Sequence, residues 1–360
     1  MPSGLHAAES TLDAIARIAG SGLGAQELLE QAAERIERVV PSDGYFLAAT
    51  DPDTTLSIGL GVVSELPPDQ CQPTWDHEFL VPDFLKYADI ARSGRAVADI
   101  HQATGGRPER SPRFREYSAA TGYTAEVRLA FSTGEAAWGI GQLNRAGSGA
   151  RFTAEEKAWL ERAAPLLAHG LRRALLAPPE HAVAGRGPGI VLLDGAGGIV
   201  SATREAAEWL EELDPTLRSP GPSDLPLPFH ASGLAARMRA AQADGEPSVR
   251  ARMRTRRGVW LLMHGATLEG TDQVALIIEP AKAADVAPLI IDAYGLTQRE
   301  VDVTRAIARG LGTVEIGKHL HLSPHTVRDH IKAIFEKVGV SSRGELVHRM
   351  FAEHYAPPAH

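Results

Sequence analysis

Residues 323–339 read Ser-Pro-His-Thr-Val-Arg-Asp-His-Ile-Lys-Ala-Ile-Phe-Glu-Lys-Val-Gly, and the rest of the chain is organised around this stretch. Ser323 followed by Pro324 predicts a helix start, because a hydroxyl group can cap the first turn and proline suits the first helical position. Gly339 favours the left-handed residue that ends many helices. Between them, apolar residues recur at steps of three and four, which predicts one buried face: Val327, Ile331, Ile334, Phe335 and Val338.

The opposite face of this predicted helix is basic. It carries Arg328 and Lys332 one turn apart, and two cations at that spacing repel each other mildly in an isolated helix. A phosphate backbone, or a guanine edge with two acceptors, would remove that cost. The pattern therefore indicates a DNA-recognition helix, while a merely solvated face is the other interpretation of the same charges.

The residues before this helix predict two shorter ones. Thr297 and Glu300 have the spacing of a capping box, which opens a helix running to about Arg309. The side chains predicted to face inward from it are Val301, Thr304, Ile307 and Ala308. Thr313 is predicted to cap a short helix ending near Leu320, after which three residues turn the chain into the recognition helix. A short helix, a tight turn and a second helix make a helix-turn-helix unit.

A last helix is predicted after Gly339. Ser342 and Glu345 repeat the capping-box spacing, and the apolar side of the helix is Leu346, Val347, Met350 and Phe351. With it, residues 296–347 resemble the LuxR/GerE-type helix-turn-helix, a four-helix DNA-binding domain. The positions that carry the resemblance are Leu296-Thr297-Gln298-Arg299-Glu300, Ala308-x-Gly310, Glu315-Ile316, Leu320, Leu322-Ser323, Thr326-Val327-Arg328-x-His330, Lys337-x-Gly339-Val340, Arg343 and Leu346-Val347.

This resemblance implies a transcription regulator that binds double-stranded DNA as a homodimer, often through its last helix. The residues implied to face base edges in the major groove are Arg328, Asp329 and Lys332. Those implied to lie near phosphates are Thr313, His325, Thr326 and Lys337, and the implied dimer helix presents Leu346, Val347 and Met350. Asp329 would repel phosphates, so it either accepts a hydrogen bond from a cytosine amino group or pairs with Lys332. His330 is expected to pack or to form a local hydrogen bond.

One departure from the family weakens the expected grip on the DNA backbone. Gly312-Thr313-Val314 stands where a small residue, an asparagine and a lysine are more usual, so one backbone-facing cation is missing. Residues 293–355 carry nine Lys/Arg against seven Asp/Glu, although the whole chain has a formal net charge of −8. So small a basic excess predicts weak binding by one domain and useful affinity only from a dimer.

The 360 residues predict a multidomain protein with two α+β sensory domains before the helix-turn-helix. Residues 1–177 read as helices, an antiparallel sheet and a long helix capped by Thr153, an order that resembles a GAF domain. Residues 187–281 read as two strands, helices and three strands, which resembles a PAS domain. An all-α four-helix domain is expected at 290–355. Linkers are predicted at residues 177–179, 185–189 and 281–293.

No catalytic or metal-binding constellation is visible, so we expect no enzyme, no metal and no cofactor beyond an unidentified small-molecule effector. Gly195-x-Gly197-Gly198 fits a hairpin turn better than a nucleotide loop. Asp76-His77-Glu78 is expected to lie in a surface loop rather than to bind a metal. Cys71, the one cysteine, excludes an intrachain disulfide and is expected to be a small buried residue rather than a redox sensor.

Alternating arginines mark one predicted strand: Arg250, Arg252, Arg254 and Arg256. Period two places them on one sheet face, which is either solvated, opposite Glu205, Glu208, Glu211 and Glu212, or a docking surface. The arginines at 107, 110, 113 and 115, in a predicted polar loop, leave the same two interpretations.

A helix is predicted from Phe79 to Ser93. The aromatic residues expected to pack in cores rather than to line a ligand cavity are Trp75, Tyr87, Tyr123 and Trp138.

The modular order predicts a DNA-binding regulator whose helix-turn-helix reads the major groove under control of the sensory domains. The alternatives are a phosphorylation-driven response regulator lacking a recognisable receiver, and an enzyme fused to a DNA-binding domain. No apolar run is long enough to span a membrane, and the first residues lack a signal-peptide pattern. We therefore expect a cytoplasmic protein.

Overall fold

A computed structural model of the chain describes residues 2–64, 71–118, 121–177, 186–213, 218–219, 227–243 and 248–352. Residues 2–177 are referred to below as the N-terminal unit, 186–280 as the central unit and 295–352 as the C-terminal unit. Over the described residues, no helix has both the length and the apolar composition needed to cross a bilayer. Residues 178, 179 and 185 of the predicted linkers lie outside this range, as does most of the segment 215–228, which contains five prolines.

The N-terminal unit packs helices on both faces of an antiparallel sheet with strand order β2-β1-β5-β4-β3. The strands are β1 (Gly44–Thr50), β2 (Ser57–Ser64), β3 (Val97–Asp99), β4 (Tyr123–Thr133) and β5 (Ala136–Ala146). The helices are α1 (Pro2–Gly20), α2 (Ala25–Val39), α3 (Cys71–Phe79), α4 (Tyr87–Arg92), α5 (Ile100–Ala103) and α6 (Ala154–Ala174). Two helices, a sheet and a long last helix follow in the predicted order.

The long helix α6 begins and packs as its sequence predicts. The Thr153 hydroxyl accepts a hydrogen bond from the Glu156 N–H at 3.2 Å, and the Glu156 carboxylate accepts from the Thr153 N–H at 2.8 Å. The sequence of α6 predicts one apolar stripe, Trp159, Ala163, Leu166, Leu167 and Leu171, and this stripe lies in the core against the sheet, with Leu166 only partly buried. This core also takes in residues of α1 and α2, so the three helices cover one face of the sheet together.

The central unit is a second five-stranded antiparallel sheet, with strand order β10-β11-β12-β6-β7. Its strands are β6 (Gly189–Leu193), β7 (Ile199–Ala202), β10 (Ser248–Arg254), β11 (Trp260–Thr267) and β12 (Val274–Pro280), and β8 (Arg218–Ser219) pairs with β9 (Leu227–Pro228). The helices α7 (Arg204–Glu212) and α8 (Phe229–Ala243) cover its inner face. The glycine-rich motif is a hairpin turn, because Gly197 has a φ of +89° and the Gly198 N–H bonds the Asp194 carboxylate at 2.8 Å.

The prediction of a linker at residues 281–293 is wrong, because most of it forms helix α9 (Ala283–Ala293). The Asp285 carboxylate caps this helix by accepting from the Lys282 N–H at 2.9 Å. Its apolar side is buried: Val286, Leu289, Ile290 and Ile291. These residues belong to one continuous core with helices of the N-terminal and C-terminal units, so α9 joins the two instead of spacing them.

The C-terminal unit consists of four helices, α10 (Gln298–Ala308), α11 (Thr313–Leu320), α12 (Pro324–Val338) and α13 (Arg343–Val347), followed by a π-helical turn, His348–Ala352. The predicted fold class, α+β units followed by an all-α four-helix unit, is therefore confirmed. The predicted capping box opens α10, and Val301, Thr304 and Ile307 are buried as expected. Ala308 is exposed, contrary to prediction, because it lies in the last turn; Val303 and Ala306 face inward instead.

Two arginines of β10 join the central unit to the N-terminal unit. Arg252 bonds both carboxylate oxygens of Asp51, at 2.7 and 2.8 Å, and also contacts Asp53. Arg254 donates to the Ala174 carbonyl at the end of α6, at 2.9 Å, and burial lowers its pKa to about 10. A solvated face is therefore the wrong interpretation for these two side chains. The flanking arginines, 250 and 256, are exposed.

Other polar residues that were predicted to be exposed are buried by contacts with residues distant in the sequence. Asp76-His77-Glu78 is part of α3, not of a surface loop, and His77 and Glu78 are buried. Arg113 is 1% exposed, whereas the loop interpretation left it in solvent. Of the helix predicted over 79–93, only α4 forms, and β3 and α5 were missed. The four aromatic residues expected in cores are buried there: Trp75, Tyr87, Tyr123 and Trp138.

Candidate DNA-binding site

The recognition helix α12 has the ends that its sequence predicts. The Ser323 hydroxyl accepts from the Thr326 N–H at 3.1 Å, and Pro324 occupies the first turn. Gly339 ends the helix with a φ of +71°, in the left-handed region that glycine tolerates best. The turn before it uses His321, which has a φ of +55°. Both ends of α12 are therefore fixed by local interactions.

One face of α12 anchors the helix in the C-terminal core. Val327 and Ile334 are fully buried and Val338 is 3% exposed, while Ile331 and Phe335 pack partly buried against the same cluster. Helices α10 and α11 supply the other side of this core. Because the buried residues recur at steps of three and four, they form one face of α12, and the opposite face points away from the core.

That outward face presents the three predicted base readers. Arg328, Asp329 and Lys332 are all exposed. The two cations lie one turn apart, as the sequence predicts. Asp329 pairs with His325 rather than with Lys332, because the His325 Nδ1 lies 2.9 Å from its carboxylate, four residues back along the helix.

The predicted phosphate contacts at the start of α11 and α12 make local hydrogen bonds. The Thr313 hydroxyl accepts from Arg343 at 2.9 Å, and Arg343 also donates to the Leu311 carbonyl at 2.8 Å. Thr313 is not the cap of α11: the helix starts at this residue, and the Glu315 carboxylate caps it by accepting from the Gly312 N–H at 2.7 Å. Thr326 contacts the Ser323 hydroxyl at 2.8 Å.

Lys337 is engaged within the unit. Its ammonium donates to the Glu300 carboxylate at 2.6 Å and to the Gly295 carbonyl at 3.3 Å. Burial raises the pKa of Glu300, but the hydrogen bonds from Lys337 and Thr297 outweigh it and hold this pKa below its ordinary value of 4.5. A phosphate contact by Lys337 stays a prediction, and it would have to compete with this ion pair.

The predicted dimer helix lies against the rest of the chain. Leu346 and Met350 are each 1% exposed and belong to the same core cluster as α9, and Val347 packs partly buried beside them. In this arrangement Leu346 and Met350 are core residues of a single chain and do not present an open face to a second copy. The side chain of Phe351 lies outside the described residues.

The N-terminal unit holds a buried polar network on the face of its sheet away from α6. Glu126 lies opposite Asn144 and Arg128 opposite Gln142 on β4 and β5, and all four side chains are buried. Arg128 donates to the Glu78 carboxylate at 2.7 Å. Burial would lower the pKa of Arg128, but Tyr87, Glu78 and Glu126 together raise it. The Arg128 Nη2 and Asn144 Nδ2 atoms have no hydrogen-bond partner within the described part of the chain.

An open cavity of about 660 Å³ lies at the edge of this sheet, beside β3. Leu85 and Ala98 connect it to the network, because the Leu85 carbonyl accepts from Arg128 at 2.9 Å and Ala98 lies opposite Arg128 in the strand pairing. Its lining is mixed, with polar side chains at Asp89, Ser93, Arg95, Asp99 and Gln102 among aliphatic ones. The volume is within the range of small-molecule sites.

The capped four-helix arrangement with an exposed basic face agrees with a family comparison. The family described as bacterial regulatory proteins, luxR family, matches residues 295–350. Residues 295–350 are a LuxR-type helix-turn-helix domain. Transcriptional regulatory protein UhpA of Salmonella typhimurium is 48% identical over 56 residues, which is 16% of this chain and 29% of that protein. Probable transcriptional regulatory protein NarL of Mycobacterium tuberculosis is 38% identical over 66 residues, 18% of this chain and 28% of that protein.

The chain therefore spans less than a third of the length of these curated relatives, and the similarity speaks for the LuxR-type domain alone. A GAF domain from a phosphoenolpyruvate-protein phosphotransferase of Coxiella burnetii aligns with 45% of this chain and 90% of that one, at 16% identity and a TM-score of 0.32. Escherichia coli SdiA aligns over 95% of both chains, at 11% identity and a TM-score of 0.32. Because these scores are low, the GAF-like character of the N-terminal unit depends on its own order of helices and strands.

Proposed function

We propose that this protein is a transcription regulator whose helix α12 reads base edges in the major groove under control of the units upstream. The observation that carries the proposal is the exposed face of Arg328 and Lys332 on a helix whose opposite face is buried and whose ends are capped. An arginine or lysine can donate to the guanine O6 and N7 atoms, which distinguishes that base from the others. The LuxR-type domain supports double-stranded DNA as the partner.

Each polar residue of the domain then receives a proposed role. Arg328, Asp329 and Lys332 contact bases, with Asp329 accepting from a cytosine amino group once His325 turns to a phosphate. The residues proposed to contact phosphates are Thr313, His325, Thr326 and Lys337. For Thr313 the support is its bond to Arg343, which fixes the start of α11. Lys337 contributes only when its bond to Glu300 opens.

The arrangement of the whole chain is also a proposal. We infer domains at residues 1–177, 187–281 and 290–355, with the central one PAS-like, and a homodimer as the DNA-binding form. We infer a cytoplasmic location, because the proposed partner is genomic DNA, and no enzymatic activity, because the matched family consists of regulators. A response regulator lacking a receiver and an enzyme fused to a DNA-binding domain remain alternatives that no particular contact favours.

A small-molecule effector is proposed to act on the N-terminal unit. The cavity beside β3 supports this, since it is large enough for a ligand and adjoins a buried polar network that continues into α3 through Glu78. Filling the cavity with Ala98→Trp should mimic or block the effector. A compound that raises the melting temperature of the wild-type chain, but not of this variant, would identify the site; equal shifts in both would place the ligand elsewhere.

The direct test of DNA binding uses the full chain and a fluorescent duplex of mixed sequence. Fluorescence anisotropy should show binding at low salt that weakens steeply as salt is added, because released counterions drive the association. The variant with Arg328→Ala and Lys332→Ala should bind much more weakly, and Lys282→Ala, an exposed lysine outside the domain, should bind like the wild type. Absence of binding by the wild type at low salt would contradict the proposal.

A further inference from the structure

One face of the central sheet exposes aliphatic side chains that sheets ordinarily cover. Within the described residues, Ile190 on β6 is 43% exposed and Ile277 on β12 is 38% exposed, and the two lie directly opposite each other in the strand pairing. Leu192 and Ala275, the next outward pair, are partly exposed, and Val200, at the bulge on β7, is 48% exposed. We call these five residues the outer patch.

Alternation along the strands shows that the outer patch is separate from the core. The intervening residues Val191, Leu193, Leu276 and Ile278 are fully buried against α7 and α8. Period two therefore points the outer patch away from those helices. A contiguous exposed aliphatic surface of this kind is a candidate interaction site.

The other half of the same sheet face is already an interface. On β10 and β11, Arg252, Trp260 and Leu262 are buried by the N-terminal unit and α9. The N-terminal unit and α9 do not cover the next row of paired residues, which runs across four strands and consists of Arg250, His264, Ile277 and Ile190. The outer patch thus continues an interface that the chain itself covers only in part.

We propose that a second copy of this chain packs face to face on the outer patch and forms the homodimer. The inference rests in part on the proposed function, which needs two LuxR-type domains to read two half-sites. The apolar residues of the last helix do not offer an alternative in this structure, since Leu346 and Met350 are buried within one chain. A two-fold axis lets the same patch serve both copies.

The charges around the outer patch are compatible with a second copy of the chain. Each chain has a formal net charge of −8, so two copies repel each other over most of their surfaces. The outer patch has no ionisable side chain, and Arg250 and His264 continue its central row. The one acid beside Ile277 on the same face of β12, Glu279, pairs with the His264 Nε2 at 3.2 Å. Two copies can therefore meet here with little electrostatic cost.

The small area of the outer patch predicts a dimer that dissociates reversibly rather than a permanent one. Three strands of about five residues cover about 14 Å by about 17 Å, on the usual strand spacing and rise. This is well below the roughly 800 Å² that each partner buries in a standard interface, so the outer patch is the apolar centre and neighbouring polar residues form the rim. We expect dissociation in the micromolar range, which DNA with two half-sites would tighten.

The test measures solution mass without DNA. Sedimentation of the full chain over a range of micromolar concentrations should show a monomer–dimer equilibrium. Ile190→Asp combined with Ile277→Asp should raise the dissociation constant more than tenfold, while Leu80→Asp, at a residue 37% exposed on the N-terminal unit, should leave it unchanged. A wild type that stays monomeric, or a double variant that dimerises normally, would overturn the proposal. Circular dichroism of both variants checks that they are folded.

A second measurement does not depend on a destabilising charge. In a Cys71→Ser background, Ile190→Cys labelled with pyrene should give excimer emission that grows with concentration, because the two labels meet across the two-fold axis. Leu80→Cys labelled in the same way should give monomer emission. Excimer in neither protein would contradict face-to-face packing on this patch. Since neither assay contains DNA, failure of the dimer and failure of DNA binding are scored separately.

Discussion

At Glu300, one carboxylate does two tasks in the LuxR-type domain. It caps α10 by accepting from the Thr297 N–H at 2.7 Å, and it pairs with Lys337 of the recognition helix at 2.6 Å. The first contact was predictable, because Thr-x-x-Glu is a local pattern. The second joins residues 37 positions apart and leaves no local signal. The sequence left the partner of Asp329 open for a different reason: basic side chains lie about one helical turn away on both sides of it, and the structure pairs it with His325.

Glu300→Gln tests this double role through pH. Its lowered pKa means that the carboxylate stabilises the folded domain at neutral pH, and that this stability is lost as pH falls below the ordinary value of 4.5 and through the lowered pKa. The variant should lose about 0.5–1 kcal/mol at pH 7, because it removes the charge that pairs with Lys337, an exposed lysine whose ammonium water can partly solvate. Hydrogen exchange of α12 amides should report the difference at pH 7. A difference that does not shrink towards acidic pH would contradict the assignment.

Lys332→Ala distinguishes base reading from phosphate binding. If Lys332 reads a base, the variant should lose about 1–3 kcal/mol of affinity for the preferred site and little for unrelated duplexes. Competition anisotropy with both kinds of DNA measures the two losses side by side. Lys282→Ala serves as the matched lysine control. An equal loss on all sequences would make Lys332 a phosphate contact.

On the scale of the helices, local patterns predicted where α10 and α12 begin and end, because caps, proline and glycine act within a few residues. They did not predict that α9 is a buried helix: its sequence follows a strand and includes Pro288, and its N-cap position holds Lys282, whose side chain has no oxygen to cap the first turn. They also did not predict that β3 forms, since three residues are too few for a period to show. The dimer helix shows the same limit, because a helical stripe does not reveal which surface covers it.

Val327→Asp tests the orientation of α12. The side chain is fully buried, so the variant places an unpaired charge in the core and should unfold the LuxR-type domain. Arg328→Asp puts the same side chain on the exposed neighbour and should leave the domain folded. Hydrogen exchange of α10 and α12 separates the two. A folded Val327→Asp domain would mean that the inner face has been assigned incorrectly.

Leu346→Ala tests what α13 packs against. Because Leu346 is 1% exposed in the shared core, the variant should destabilise the domain by about 2–5 kcal/mol. Leu346→Met, which conserves volume, should cost less than about 1.5 kcal/mol. Thermal unfolding gives both values. Unchanged stability together with a lower solution mass would instead return this helix to the dimer interface.

For the whole molecule, the sequence predicted the order of the three units but not how they join. Arg252 and Asp51 are 201 residues apart, and the arginine stripe alone fits a solvated face as well as an interface. Only the burial of the arginine side chains distinguishes the two interpretations, and that burial depends on the N-terminal unit that packs against β10. The same holds for Arg113 and Glu126, which pair at 2.7 Å inside the N-terminal unit. Such contacts appear only once the chain is folded in three dimensions.

Arg252→Ala tests how much the contact between Arg252 and Asp51 stabilises the packing of the N-terminal unit on the central unit. It leaves Asp51, which is 1% exposed, without its bidentate partner, and removing one member of such a buried pair costs about 3–5 kcal/mol. Arg250→Ala, on the same strand but exposed, should cost little. Limited proteolysis and thermal unfolding should show earlier separation of the units only in Arg252→Ala. Identical profiles would show that the contact does not hold the units together.

The measurement that tests the central claim most directly is genome-wide recovery of DNA bound by the full-length protein in its host. The control is the variant with Arg328→Ala and Lys332→Ala, which removes both cations from the exposed face of α12 and leaves its buried face intact. We expect the wild type to enrich a shared, roughly symmetric site that the variant loses, since the two half-sites reflect two copies of the domain. The same sites recovered by both proteins would show that α12 does not read the bases, and would contradict the account.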